Sequence, residues 1–491
     1  MKRFFLFVFF TASLLPFVNA QTHYDLYGLA QGGAKGMGVI YRYDLLANTF
    51  DTLMSFDGLN GAAPAIGGKL ILASDGQLYG LTAVGGKYND GVMFRFNPIT
   101  FKDTVLINFD SIVNGSCYDH SGGGLGAYIM QTKSGLIYGT TAFGGSKDSG
   151  VFFNYNIDTG KDSVLFSFNN SIGAIPIQAV TEDTLSGILY GTTVTGGTKD
   201  LGVIYSYNPT TKRDSVIFNF DSIGENGAYP IGINFCPASD GLFYGMTSYG
   251  GAFGNGTLYS FNPATGKDST LIHNYDSYYN GGVPWRMSLM EASNGLLYGF
   301  DEAGGFNADG FLYSYDRLTN TIAMVHNFTG SDGSFPLAGV TQDSDNGLLY
   351  GITETGGQNN TGVLFSYDIT NNIYTVLHNF DVFPGAGSNP LVCPTLVRVS
   401  DSTSSVKEIQ PQMDEVNVYP NPSNGQTIVN LIGNNYREIY IYDVLGRAVY
   451  TQKINSGQHS VPLHLNLNNG IYILKITTTN ACISKRLIIE R

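Results

Sequence analysis

His273, His326 and His378 share one setting, each followed by Asn and an aromatic residue in HNYD, HNFT and HNFD. Imidazole is a common metal ligand, but ligands must converge, and residues at matching places in a repeat lie apart, so these three read as packing or hydrogen-bonding groups at strand ends. The turns Asp75-Gly76, Asp240-Gly241 and Asp343-Ser344-Asp345-Asn346-Gly347 have the residue types of calcium loops. Counted from Asp343, Glu354 is twelfth, where an EF-hand places its bidentate ligand, but Gly347 is fifth where that loop needs its glycine sixth. These segments therefore read as turns whose Asp side chains bond to their own backbone. One polar cluster stands outside any repeated pattern, Tyr118, Asp119 and His120 beside Cys117 within SIVNGSCYDHSGGG, and it is the candidate binding loop. The single tryptophan, Trp285, occupies a place filled elsewhere by Ala65, Ile177, Ile231, Leu337 or Leu391 and reads as strand packing. The chain has no G-x-S-x-G elbow, no H-E-x-x-H helix and no P-loop, so no catalytic residue, metal ligand or cofactor is assigned.

The elements that would position such residues follow from composition and periodicity. The 491-residue chain holds 63 glycines, 32 tyrosines and 31 phenylalanines with only 13% charged residues, a profile of short strands and tight turns. A formal charge of -13, scattered along the chain, would repel a phosphate backbone and argues against nucleic acid as a partner. Lys2 and Arg3, the apolar run from Phe4 to Val18 and the small-residue site Val18-Asn19-Ala20 read as a secretory signal cleaved after Ala20. No later run is long and apolar enough for a transmembrane helix, so none is expected in the mature chain. Cys117, Cys236, Cys393 and Cys482 show no paired spacing, and the thiols read as buried small hydrophobes.

The segment QLYGLTAVGGKYNDGVMFRFNP recurs with tyrosines at 27, 79, 138, 190, 244, 298 and 350, which makes seven copies at intervals of 52 to 59 residues. Each copy alternates with period two through four short strands, and its glycine pairs mark a hairpin needing positive φ. A four-stranded unit of about 50 residues cannot bury both faces alone and must stack on its neighbours. The first copy lacks a strand before Tyr27, while NPLVCPTLVRVSD after the last has no hairpin of its own, so the C-terminal segment is expected to complete the first sheet. The fold class expected is all-β: a seven-bladed β-propeller of four-stranded blades over residues 21–401, with an open β-solenoid as the alternative. A polar linker at 402–414 leads to a small C-terminal β-sandwich at 415–491, where six alternating segments separated by turns suggest about seven strands.

The motif of Asp75-Gly76, Tyr79-Gly80, Thr82, Gly85-Gly86, Gly91, Val92 and Phe94 resembles the Gloeo-Verruco tandem repeat, found in bacterial surface and secreted proteins. That resemblance covers residues 24 to about 401 and implies no catalytic residue; Asp301 departs from it in place of the strand threonine. The C-terminal segment resembles the type A sorting domain of the type IX secretion system, through Val418-Tyr419-Pro420-Asn421-Pro422, Asp443-Val444-Leu445-Gly446-Arg447, Gly470-Ile471-Tyr472 and Lys485-Arg486-Leu487-Ile488. It implies engagement of the type IX secretion machinery, export across the outer membrane of a Gram-negative bacterium, removal of the domain, and attachment to surface lipopolysaccharide or release. An ordinary fibronectin-like sandwich without a sorting role is the competing reading. The function expected is a secreted or cell-surface, non-enzymatic binding or structural module for an unidentified extracellular glycan or protein. The alternative is a secreted polysaccharide-degrading enzyme, which would need paired carboxylates roughly 5 to 10 Å apart at the propeller mouth.

Overall fold

The computed structural model describes residues 22–64, 69–111, 128–221, 227–232, 235–265, 267–274, 287–381, 387–400, 416–431, 436–443, 447–455, 458, 460–478 and 482–490. Among these every regular element is a β-strand. Residues Thr22–Ser400 form one compact unit, and its strands lie in seven antiparallel sheets. The third sheet shows the plan, with Tyr128–Gln131, Leu136–Thr141, Val151–Asn156 and Lys161–Ser167 paired in chain order.

The repeat's signature residues each have a physical task. In all seven sheets the glycine of the Tyr-Gly pair lies opposite an aromatic residue of the next strand, as Gly80 opposite Phe94, Gly139 opposite Phe153 and Gly191 opposite Tyr205. A β-carbon on Gly139 would fall 2.5 Å from Phe153 Cζ, so glycine alone lets the ring lie across the strand. The strand threonine ties the hairpin together. Thr82 Oγ1 accepts from the Val92 N–H at 3.1 Å and donates to the Val84 carbonyl at 3.0 Å, and Thr141, Thr193 and Thr353 repeat both bonds. Asp301, the departure noted above, keeps the hairpin by accepting from the Gly304 N–H at 2.7 Å.

Neighbouring sheets are joined at both ends. At the hairpin end a proline of one sheet sits against a positive-φ glycine of the sheet before it, Pro176 on Gly150, Pro230 on Gly202 and Pro390 on Gly362. At the opposite end the residue closing the first strand accepts a backbone N–H from the preceding sheet's turn: Gln131 from Ser74, Glu182 from Lys133, Glu291 from Ser239 and Gln342 from Ser293, at 2.7 to 2.9 Å. Between the sheets lie apolar clusters. They join the first sheet to the second, the second to the third, the third to the fourth, the fourth to the fifth, and the fifth through the sixth to the seventh. A further cluster joins the seventh to the first, with Tyr350, Ile352 and Phe380 against Leu26 and Tyr41.

The first sheet is built from both ends of the unit. Thr22–Gly32 pairs with Val39–Asp44 on one side and on the other with Gly387–Pro390 and Thr395–Ser400, Tyr27 lying opposite Thr395. Two of the three histidines noted above serve packing between sheets. His326 stacks on Tyr374 of the seventh sheet with ring centroids 3.8 Å apart, and His378 stacks on Phe50 of the first at 3.9 Å. Burial depresses both imidazoles, His378 to about 4, so they sit neutral against their rings at pH 7.

The described residues of the C-terminal unit form seven strands in two sheets, Val416–Tyr419, Gln426–Leu431 and Ser460–His464 in one and four strands from Tyr436–Tyr442 to Cys482–Ile489 in the other. Alternation turns Val429, Leu431, Ile439, Ile441, Leu474 and Ile476 into one shared core.

Candidate functional site

The seven sheets surround a cavity of about 490 Å³, each supplying at least one lining residue and the first sheet doing so through Cys393, between Gly387–Pro390 and Thr395–Ser400. Tyr128, Val180, Phe235, Leu289, Val340 and Cys393 make most of the wall apolar, and Lys69, Thr181, Ser288 and Glu291 are its polar groups. Glu291 is the carboxylate among the described lining residues, and it is engaged. It accepts from the Ser239 N–H and hydroxyl and pairs with Arg317, whose other amino group lies 3.0 Å from Asp240 Oδ2. The wall therefore presents one clamped carboxylate rather than a pair. Cys236 and Cys393 are free, buried thiols facing the same cavity, and burial pushes Cys236 up to about 12, which keeps it an unreactive thiol at neutral pH.

A second group of polar side chains lies on the first sheet. Alternation places His23 and Asp25 on one face of Thr22–Gly32, and the register sets Asp44 directly across from Asp25. His23 Nε2 is 3.3 Å from Asp25 Oδ1 and 3.8 Å from Asp44 Oδ1. Arg42 reaches Asp25 Oδ2 at 3.6 Å and Asp51 at 2.5 Å. Asp25 is 1% exposed, and burial first, with Asp44 second, raises its carboxyl to about 6 against the lowering pull of Arg42 and His23. Sequence reasoning passed over this group, although its signal was present. The place of Asp25 is filled in the other six copies by Gln77, Leu136, Ile188, Leu242, Leu296 and Leu348, so a charged residue there breaks the repeat.

In the C-terminal unit the first and last sorting motifs meet. Asn421 Oδ1 accepts from the Ile488 N–H at 2.8 Å, and Ser423 beside Pro422 bonds across to the same final strand. Pro420 is exposed at the turn before it. Arg447 folds back on Asp443 through Nε at 2.8 Å and its own N–H at 2.9 Å, which makes the central motif a closed turn. Gly470 opens its strand, Tyr472 donates to the Asn468 carbonyl at 3.0 Å, and Lys485 is exposed on the last strand. Gly446, Ala20, Trp285 and the loop residues Tyr118, Asp119 and His120 lie outside the described residues.

Residues 16–124, 119–286 and 237–398 match the Gloeobacter/Verrucomicrobia repeat. The chain belongs to that repeat family. Residues 417–490 of this repeat protein match the secretion system C-terminal sorting domain, so it is exported by the type IX system to the cell surface or the extracellular space of a Gram-negative bacterium. No curated protein matches it. Among solved structures it is similar to a putative 6-phosphogluconolactonase from Bacteroides uniformis, at 14% identity over 76% of this chain and 99% of that one, with a TM-score of 0.50. A second putative 6-phosphogluconolactonase, from Bacteroides fragilis, gives 15% identity over 76% and 98% of the two chains and a TM-score of 0.46. The first likeness is one of fold alone and accords with a propeller-like arrangement of the repeat protein's sheets.

Proposed function

We propose that this protein is a non-enzymatic binding module of the bacterial surface: a seven-bladed propeller closed by its C-terminal strands, exported on a β-sandwich sorting domain. The cavity carries the reading. Its wall is apolar and drawn from all seven sheets, with Lys69, Thr181 and Ser288 spaced around it, which is the chemistry of a site that orients a ligand without transforming it. In this reading a signal ending at Ala20 is removed first, the sorting domain is removed after translocation, and the propeller is attached to surface lipopolysaccharide or released. Tyr118, Asp119 and His120 supply a second contact for a glycan or protein.

The polysaccharide-degrading alternative requires two carboxylates flanking a sugar ring. Glu291, bound by Arg317 and Ser239, is the one that the described wall offers. Incubating the propeller, residues 21–401, with a polysaccharide and peptidoglycan array, and reading retained protein together with released reducing ends, separates the two. Retention without release is the expected result. Release that survives repurification would establish an enzyme instead.

A further inference from the structure

The geometry points to a divalent metal site of the zinc class, formed by His23, Asp25 and Asp44 on the first sheet. The three offer one ligand atom each, all within 4.8 Å of one another. Asp25 supplies the independent observation. Its side chain is 2% exposed, and Oδ1, turned toward His23 and Asp44, has no well-aligned hydrogen bond among the described residues, its contact with His23 Nε2 being 3.3 Å long. A buried carboxylate oxygen left in that state costs free energy unless something positive meets it. Arg42 does not meet it, because its guanidinium lies against the other oxygen, Oδ2, and against Asp51.

The spacing admits a metal as well as the direct His23–Asp25 contact. Zinc holds nitrogen and oxygen ligands at about 2.0–2.1 Å in a tetrahedron, which puts neighbouring ligand atoms roughly 3.3–3.4 Å apart. The separations from His23 Nε2 are 3.3 Å to Asp25 Oδ1 and 3.8 Å to Asp44 Oδ1, and the ligand atoms of the two aspartates lie within 4.8 Å of each other, so movement of Asp44 toward the other two completes three corners of that figure. The fourth corner falls to water. One imidazole with two carboxylates is a donor set for zinc, manganese or iron rather than for calcium, which takes six to eight oxygens. Because the strand carrying His23 and Asp25 pairs with Thr395–Ser400, the metal would fasten the chain's start where the two ends of the unit meet.

The test uses the full-length chain, purified without a polyhistidine tag and stripped with EDTA, titrated with zinc by calorimetry and with cobalt by visible absorption. One equivalent should bind, cobalt giving a tetrahedral d–d band that zinc bleaches, and His23→Ala should weaken zinc binding by at least about ten-fold. His326→Ala, remote from the cluster, should bind as the parent does. If His23→Ala fails to fold, Asp44→Asn is read in its place. A parent that takes up no zinc, or one whose single site survives both His23→Ala and Asp44→Asn, overturns the assignment.

Discussion

At the scale of single residues, His378 shows how a side chain with the chemistry of a ligand can serve as packing. Its ring lies flat on Phe50, 3.9 Å away at an interplanar angle of 3°, and edge-on to Phe380. Desolvation lowers its pKa from 6.5 to about 4, while Asp381 pulls the other way. A depressed histidine contributes stability that is fully present above its unfolded pKa and is lost as pH falls toward its folded one. Between pH 6.5 and about 4 that loss amounts to up to roughly 3 kcal/mol. His378→Phe, which keeps the stack and removes the proton site, should therefore flatten the acid limb of stability. Urea melts of parent and variant at pH 7.5 and 4.5 measure it, and equal pH slopes in the two proteins would refute the assignment.

At the scale of the element, the four-stranded sheet explains why the repeat spells Tyr-Gly, then Gly-Gly, then Val-x-Phe or Val-x-Tyr. The first glycine makes room for the ring opposite it, the hairpin glycines supply positive φ, and the threonine hydroxyl bonds to both sides of the hairpin. Gly139→Ala has a backbone that tolerates alanine but a β-carbon that meets Phe153 and Ile129 at 2.5 to 2.9 Å. It should cost about 1–3 kcal/mol, the usual penalty for overpacking a filled core. The paired change Gly139→Ala with Phe153→Leu should recover part of that loss. Thermal or denaturant unfolding of the three proteins checks both statements, and an unperturbed single variant would show that the ring does not need the glycine.

At the scale of the whole molecule, the first sheet depends on strands nearly 400 residues apart in the chain. Thr22–Gly32 would present an unpaired edge without Gly387–Pro390 and Thr395–Ser400, Pro390 would leave Gly362 of the seventh sheet, and Val392 would leave the cluster between the first and second sheets. A chain ending at residue 386 should therefore unfold over a broader transition and aggregate more than one ending at 401, because an open edge recruits other strands. Light scattering and unfolding cooperativity compare the two, and identical behaviour would mean that the C-terminal strands are dispensable.

The sequence by itself determined the repeat, the strand-rich class, the glycine and proline positions and the sorting motifs, because each of these is a local demand of backbone geometry or a short run of residues. Matching places in seven copies made the sheet's task legible seven times over. The tertiary structure alone decided which side chains converge. His326 and His378 meet aromatic partners of the next sheet rather than one another, and Glu291 meets Arg317. His23, Asp25 and Asp44 gather because a strand register sets residues 19 positions apart face to face. Periodicity in one chain cannot report such pairs, since proximity across strands depends on register and on which sheets are neighbours. The partial exception is Asp25, whose charge at a place aliphatic in five of the other six copies marks the site before any coordinate is known.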